Sequence, residues 1–332
     1  MAPDSPSISR IQKELYEWYK QNHRPLPWRE SRDPYRIWIS EVMLQQTTVQ
    51  VVVPYYQRFL NRFPDLESLA AAPVEHVLEM WAGLGYYSRA KLLHRSAQEL
   101  VNRGGFPKTA IELVEMPGFG PYTSRAVASL AFGDRVGVLD GNVIRVLCRV
   151  LSMDDPWWKT VVRNKLQNFA DQIGNHKQTH LINQAMMELG AIICTPTNPS
   201  CVICPIRNEC TAYQKGVPTA YPIKRAKAAG KTILWTMDIY KKDGHLWMGQ
   251  SKYTPFLKGS WLPPGKIEEV NDKPKKFHLR HGITKYDIYV KLRVMEKVPT
   301  KVELHQWVPI KELSRWNPSS VLRKVLQTIE KI

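Results

Sequence analysis

Three groups of residues in this sequence have types and spacings that could do chemistry. The first is a cysteine cluster: Cys194, Cys201, Cys204 and Cys210 have six, two and five residues between them. Four thiolates on one short loop suit either a tetrahedral zinc or a four-iron cubane, because both need soft anionic ligands converging on one point. Spacing does not choose between them, although zinc ribbons usually carry two separated Cys-x-x-Cys knuckles and only Cys201 and Cys204 form a close pair here. Cys148 lies on an apolar helical pattern between Leu147 and Val150 and reads as a buried structural thiol.

The second group is carboxylic. Glu41 sits within Trp38-Ile39-Ser40-Glu41-Val42-Met43-Leu44, where helical spacing puts it on one face with Ile37 and Leu44. A carboxylate there loses hydration without an evident salt-bridge partner, so its pKa is expected to rise toward the range of a general acid. Asp140 is a second acid in an apolar stretch, Val138-Leu139-Asp140-Gly141-Asn142-Val143, just ahead of a helical pattern. The third group is the turn Met116-Pro117-Gly118-Phe119-Gly120-Pro121 between two helical segments. Gly118 and Gly120 permit a tight turn with positive φ and let a phosphate approach the backbone, with the next helix supplying N–H donors. Alone, such a turn is more often a plain helix connection. Asp140 following 20 residues after Gly120 gives it weight.

These groups need a scaffold, and the first two-thirds of the chain read as helices. Ile8, Ile11, Leu15, Trp18 and Tyr19 recur at helical spacing, and Pro34 opens a helix apolar on nearly every face, hence buried. Further helical patterns surround 74–84, 87–101, 111–115, 122–132, 142–151, 161–173 and 181–193, and no convincing strand precedes residue 215. Residues 214–230, with Pro218, Pro222, Lys224, Arg225 and Lys227, show no period and read as a linker. Then the pattern becomes alternating. Ile233, Trp235, Met237 and Ile239 share one strand face, Asp243-Gly244 signals a hairpin, and Tyr286, Ile288, Val290, Leu292 and Val294 share a second face opposite Asp287, Lys291 and Arg293. Val321, Leu322, Val325, Leu326 and Ile329 close the chain at helical spacing. The expected organisation is a helical domain over 1–213, a linker over 214–230 and a smaller α/β domain over 231–332.

Composition narrows the partner. The 332 residues carry 47 Lys and Arg against 30 Asp and Glu, a formal charge of +17, with 43% hydrophobic residues. That is an ordinary globular composition with an unusual positive excess, which favours nucleic acid, and less so an anionic membrane surface. The segment from Gly230 onward holds 20 basic and 10 acidic residues, and the part before it 27 and 20, so both parts suit the same polyanion. No stretch approaches the ~18 apolar residues of a membrane span. The start, Met1 to Arg10, is polar, contains Asp4 and lacks an apolar signal core, so an intracellular protein is expected. That means cytoplasm or nucleoid in a bacterium, and nucleus or mitochondrion in a eukaryote. In a reducing compartment clustered cysteines point to a metal rather than disulfides.

The cysteine loop resembles the 4Fe-4S loop of the helix-hairpin-helix DNA glycosylases, the endonuclease III superfamily. In that resemblance the cluster is structural and orders a basic loop, with Arg207 and Lys215 among its neighbours, against the DNA backbone. Met116 to Pro121 and Asp140 match the superfamily's hairpin and catalytic aspartate. Bifunctional members carry a lysine shortly after the second glycine to form a Schiff base with the sugar. Tyr122 stands there, so the chain resembles the monofunctional branch. Pro34-Tyr35, Ser40 to Thr47, Gly83-Leu84-Gly85-Tyr86-Tyr87, Leu139 to Val143 and Asn183 to Met187 together resemble adenine DNA glycosylase, the MutY family, over about residues 11–213.

The resemblance implies an enzyme that removes adenine opposite 8-oxoguanine or guanine in duplex DNA, acting as a monomer on a flipped-out base. Glu41 would protonate the imidazole portion of adenine and then assist water, Asp140 would stabilise or transiently bond the oxocarbenium-like sugar, and Tyr122 and Asn142 would brace the site. Gln46 and Tyr86 match positions that enter the base stack, and Leu26, Trp28 and Gln184 match positions that line the adenine pocket. The family's second domain resembles a Nudix fold and reads the oxidised guanine. Ser251 to Gly265, including Phe256 to Gly265, resembles the corresponding loop and strand, but after Glu268 and Glu269 no acidic catalytic helix follows, so pyrophosphohydrolase activity is not expected. The usual Phe-Ser-His loop aligns with Ile283-Thr284-Lys285, where Thr284 keeps the hydroxyl and Lys285 replaces the lesion-sensing histidine. Two rivals share some of these features: a thymine or uracil mismatch glycosylase, and an iron-sulfur DNA-binding protein without catalysis.

Overall fold

The computed structural model describes residues 6–45, 47–226, 229–257, 259–283, 285–298, 305–317 and 319–330. By contacts the chain divides into two compact units, residues 1–71 with 91–226 and residues 72–90 with 227–332. The division at 226 falls inside the expected linker, and the second unit also takes in 72–90, which the pattern reading grouped with the helices.

The helices in chain order are α1 (Ile8–Asn22), α2 (Pro34–Leu44), α3 (Val49–Arg62), α4 (Leu66–Ala71), α5 (Val74–Met80), α6 (Tyr87–Asn102), α7 (Ala110–Leu113), α8 (Pro121–Val127), α9 (Gly141–Val150), α10 (Thr160–Gly174), α11 (Thr179–Ile192) and α12 (Thr211–Gln214). All but α5 and the start of α6 belong to the first unit. No strand precedes residue 231 among the described residues.

Helix α2 begins where its sequence says it should. Asp33 caps it, accepting from the N–H groups of Tyr35 (2.8 Å) and Arg36 (3.3 Å), and Pro34 occupies the first turn, where a missing N–H costs nothing. Eight of its eleven residues are buried, Glu41 among them, so the prediction of an all-round apolar helix holds. Trp38 stacks on Phe119 with ring centroids 5.3 Å apart and planes 12° apart, which ties α2 to the glycine turn.

A second core gathers Ile11, Leu15 and Tyr19 of α1 with the inner faces of α9, α10 and α11. Each fully buried Leu or Ile there contributes about 1.5–3 kcal/mol. Helices α9 and α11 approach so closely at Gly190 that a Cβ there would lie 2.7 Å from the Cβ of Asn142. Glycine is therefore required for the two helices to bring their functional residues together.

The second unit contains two small sheets formed by β1 (Lys231–Ile239), β2 (Lys241–Lys242), β3 (His245–Gln250), β4 (Trp261–Leu262), β5 (Gly265–Val270), β6 (Leu279–Ile283), β7 (Tyr286–Val294) and β8 (His305–Pro309). One sheet has the order β5-β1-β7-β6, with β1 and β7 parallel and the outer pairs antiparallel. In the other, β3 pairs with β2, β4 and β8. Asp243 (φ 46°) and Gly244 (φ 75°) make the two-residue turn that joins β2 to β3, as their types predict.

The alternating residues of β1 are buried as expected, and Ile288, Val290 and Leu292 of β7 join them in one core with Val321, Leu322 and Val325 of the last helix, α14 (Ser320–Ile329). Val294 departs from its expected face and is 66% exposed, since it is the last residue paired in the β1–β7 ladder. A short helix, α13 (Leu313–Trp316), packs on α5.

Candidate active site

The first unit contains a cavity of about 620 Å³ between α2, α8, α9 and α11, lined by Glu41, Tyr122, Asp140, Asn142, Gln184 and Glu188 among others. Glu41 projects into it from the buried α2 and is only 4% exposed. Its Oε2 accepts a short hydrogen bond from the hydroxyl of Tyr122, in the first turn of α8. Burial pushes the Glu41 carboxyl up to about 7; the Tyr122 bond and the Arg29 charge pull it down, while the Asp140 charge pushes it further up. Tyr122 itself is held well above its usual range by burial and by the two carboxylates, so it remains a hydrogen-bond donor.

Asp140 is the N-cap of α9. Its Oδ1 accepts from the N–H of Val143 at 2.6 Å and its Oδ2 from Asn142 Nδ2 at 3.2 Å. Burial raises its pKa, and these hydrogen bonds offset part of the rise by favouring the anion. Asn142 is in turn fixed by Arg145, whose Nη2 donates to Asn142 Oδ1 (2.8 Å) and to the Gly190 carbonyl (2.6 Å), while its Nε donates to the Cys194 carbonyl (2.8 Å).

Another carboxylate on this cavity behaves differently. Glu188 is 1% exposed, and burial alone would raise its pKa, yet hydrogen bonds from Arg24 (2.7 and 2.6 Å) and Arg29 (2.8 Å) hold it at about 2. Arg29 reaches both carboxylates: it pairs with Glu188 and tempers Glu41 through space.

The glycine turn precedes α8. Gly118 has φ +80°, and a Cβ there would sit 2.8 Å from Ser96 Oγ. Gly120 has φ −75° and caps α8, so only one of the two glycines needs the left-handed region. Ser96 donates to the carbonyls of Leu92 and Pro117 and holds the turn against α6.

The four clustered cysteines line one apolar cavity together with the buried Arg149. Arg149 donates to the carbonyls of Thr195 (2.8 Å), Pro196 (2.9 Å) and Tyr221 (3.0 Å) and to Cys194 Sγ (3.2 Å). Among the described residues no three His, Cys, Asp or Glu side chains are arranged to hold a metal ion. Burial raises the thiols of Cys201 and Cys210, and that of Cys204 to about 12. The four thiols on this cavity supply the soft donor type that a four-ligand metal group needs, but they would have to draw together to ligate it, with release of their protons. Cys148 is fully buried, as its pattern predicts.

The structure thus brings Glu41, Tyr122, Asp140, Asn142, Leu26, Trp28 and Gln184 to one cavity. Gly118 and Gly120 form their turn outside its lining. Tyr86 lies in the second unit, 45% exposed with φ 50°, and Lys285 lies in the β6–β7 connection there, its ammonium 5.5 Å from the Tyr286 ring. Gln46 and Thr284 fall outside the described residues. Sequence reasoning missed Arg24, Arg29 and Glu188. Glu188 was findable, because it follows Gln184 by four residues on one helix and shares its face.

The helical unit thus carries a glycine turn, an N-cap aspartate and a buried glutamate, the two acids on one cavity. Residues 39–172 match the family described as "HhH-GPD superfamily base excision DNA repair protein". Adenine DNA glycosylase of Buchnera aphidicola (Baizongia pistaciae) is 37% identical over 305 residues, 83% of each chain. The mouse adenine DNA glycosylase is 43% identical over 223 residues, and the match spans 64% of this chain and 43% of the mouse protein. A solved thermostable thymine-DNA glycosylase superposes with a TM-score of 0.56 at 28% identity, over 63% of this chain and 97% of that one. An endonuclease III–DNA complex shares the fold, with a TM-score of 0.52 at 22% identity, over 63% of this chain and 98% of that one. The chain belongs to the adenine DNA glycosylase (MutY) family of the helix-hairpin-helix superfamily.

Proposed function

We propose that this protein is a monofunctional DNA glycosylase that excises adenine opposite 8-oxoguanine or guanine in duplex DNA. The observation that carries the reading is Glu41: a carboxyl 4% exposed, brought to about 7, hydrogen-bonded by Tyr122 and sharing a cavity with Asp140. A flipped adenine enters that cavity. Protonated Glu41 gives its proton to the imidazole portion of the base, so the C–N bond breaks with adenine leaving as a neutral species. Asp140 as the anion offsets the positive charge that develops on the sugar, or bonds to it transiently, and Glu41, now ionised, takes a proton from the incoming water. Tyr122 holds Glu41 in place, and Asn142 holds Asp140. With tyrosine rather than lysine after the turn, no amine forms a Schiff base and the abasic strand stays intact.

Cys194, Cys201, Cys204 and Cys210 would hold a 4Fe-4S cluster that orders the loop, and Arg149 anchors that loop from beneath. The cluster supplies no step of the displacement. The second unit, a Nudix-like fold without the acidic helix, would read the opposite base through the connection carrying Lys285.

The test is single-turnover base release from A:8-oxoguanine, A:G and A:C duplexes by the native protein and by Glu41→Gln. Release by the native protein and none by the variant supports the reading; release by the variant overturns the proton-transfer role. A brown protein absorbing in the visible, and Cys204→Ser protein that does not, supports iron over zinc.

A further inference from the structure

Gln184 is a wall residue of the cavity, and its amide has two possible faces: a carbonyl that accepts or an NH₂ that donates. A side chain that engages the carbonyl face of this amide lies behind the wall. Tyr19 of α1 is 3% exposed, does not line the cavity, and places its hydroxyl 2.5 Å from Gln184 Oε1, to which it donates. Its ring is itself fixed: His23 stacks on it with centroids 5.0 Å apart, and the Arg29 guanidinium lies 5.5 Å from its centre. Burial pushes the Tyr19 hydroxyl up to about 12, so it keeps its proton at working pH.

We propose that Tyr19 is a positioning residue for base selection, holding Gln184 with its carbonyl engaged and its NH₂ turned to the cavity. This inference rests on the reading of the cavity as an adenine site and deepens it. The same wall offers other donors, Arg29 and the proton of Glu41, whereas the acceptor atoms of Glu188 are taken up by the two arginines. Asp140 and Asn142 also line the cavity with acceptor oxygens, so the wall is mixed, and it is the single donor turned in by Gln184 that suits a purine ring nitrogen with a free lone pair. Adenine has an acceptor at N1, where hypoxanthine and guanine carry an N–H, and a site built around a matched hydrogen bond rejects the mismatched base strongly.

The experiment is a double-mutant cycle with Tyr19→Phe and Gln184→Ala, read as single-turnover release of adenine and of hypoxanthine opposite 8-oxoguanine. Tyr19→Phe keeps the buried ring and removes only the hydroxyl. Adenine release is expected to fall about tenfold in the native background while hypoxanthine release changes little, and the same substitution in the Gln184→Ala background is expected to have no further effect. The basic limb of the pH profile, set by Glu41, should stay in place in Tyr19→Phe protein. An equal loss on both bases, or an equal loss with and without Gln184, would mean that Tyr19 serves only packing and would overturn the proposal. Full adenine activity in Tyr19→Phe would overturn it as well. Failure of the adenine reading is a separate result: native protein that releases neither purine.

Discussion

The Glu41 wall and the Glu188 wall of one cavity treat the same functional group in opposite ways. Both carboxyls are almost completely buried. At Glu188 two guanidiniums donate directly, and the carboxyl stays ionised down to a pH of about 2. At Glu41 the direct donor is a neutral phenol, and burial together with the Asp140 charge brings the carboxyl up to about 7. Burial therefore does not decide whether a carboxyl is an acid or a fixed anion. The charge of its hydrogen-bond partners does.

The comparison can be broken at several points. The largest effect is expected at Glu41→Gln, which keeps the shape and removes the proton: base release should fall by about 10³-fold or more in single-turnover assays, with duplex binding retained. Glu188→Ala should act on stability instead. It strands two guanidiniums, Arg29 with 12% and Arg24 with 36% of its side chain exposed, so unfolding free energy should fall by about 1–3 kcal/mol, seen as a shifted denaturation midpoint. The unpaired Arg29 charge would also lower the Glu41 pKa, moving the basic limb of the pH profile downward.

Glu41 must be protonated to act, so release by native protein should decline as pH rises through about 7. Removing the Tyr122 hydroxyl deletes an interaction that favours the Glu41 anion. Tyr122→Phe should therefore move that limb to higher pH, while the lost positioning of Glu41 lowers the plateau rate below the limb by about tenfold, measured as rate against pH. The smallest effect is expected away from this cavity. Lys285→His should leave release from A:G unchanged within about twofold and alter only the preference for 8-oxoguanine opposite adenine, measured as the ratio of the two rates. A change in both rates alike would separate Lys285 from lesion reading.

Much of this site was legible in the chain. The all-round apolar pattern of α2 forced Glu41 inward, the Pro-Gly-x-Gly turn announced the start of α8, and Asp140 ahead of an apolar period read as a helix start because a carboxylate there satisfies free N–H groups. The alternation of β1 and the Asp243-Gly244 turn gave the second unit its class. Less visible were residues whose partners are distant. Arg24 and Arg29 pair with Glu188 across more than 150 positions, and Tyr19 meets Gln184 across 165, so no local period marks them.

By itself the sequence determined most of the helices and the two long strands β1 and β7, that Glu41 is buried, and where four thiols gather on one loop, because these follow from short-range pattern and spacing; α3 and the burial of Glu188 were not read from it. Only the tertiary structure decided the protonation states. The fate of a buried carboxyl depends on which donors the fold places within a few ångströms, and that is set by the packing of α1, α2 and α11 rather than by any neighbour in the chain.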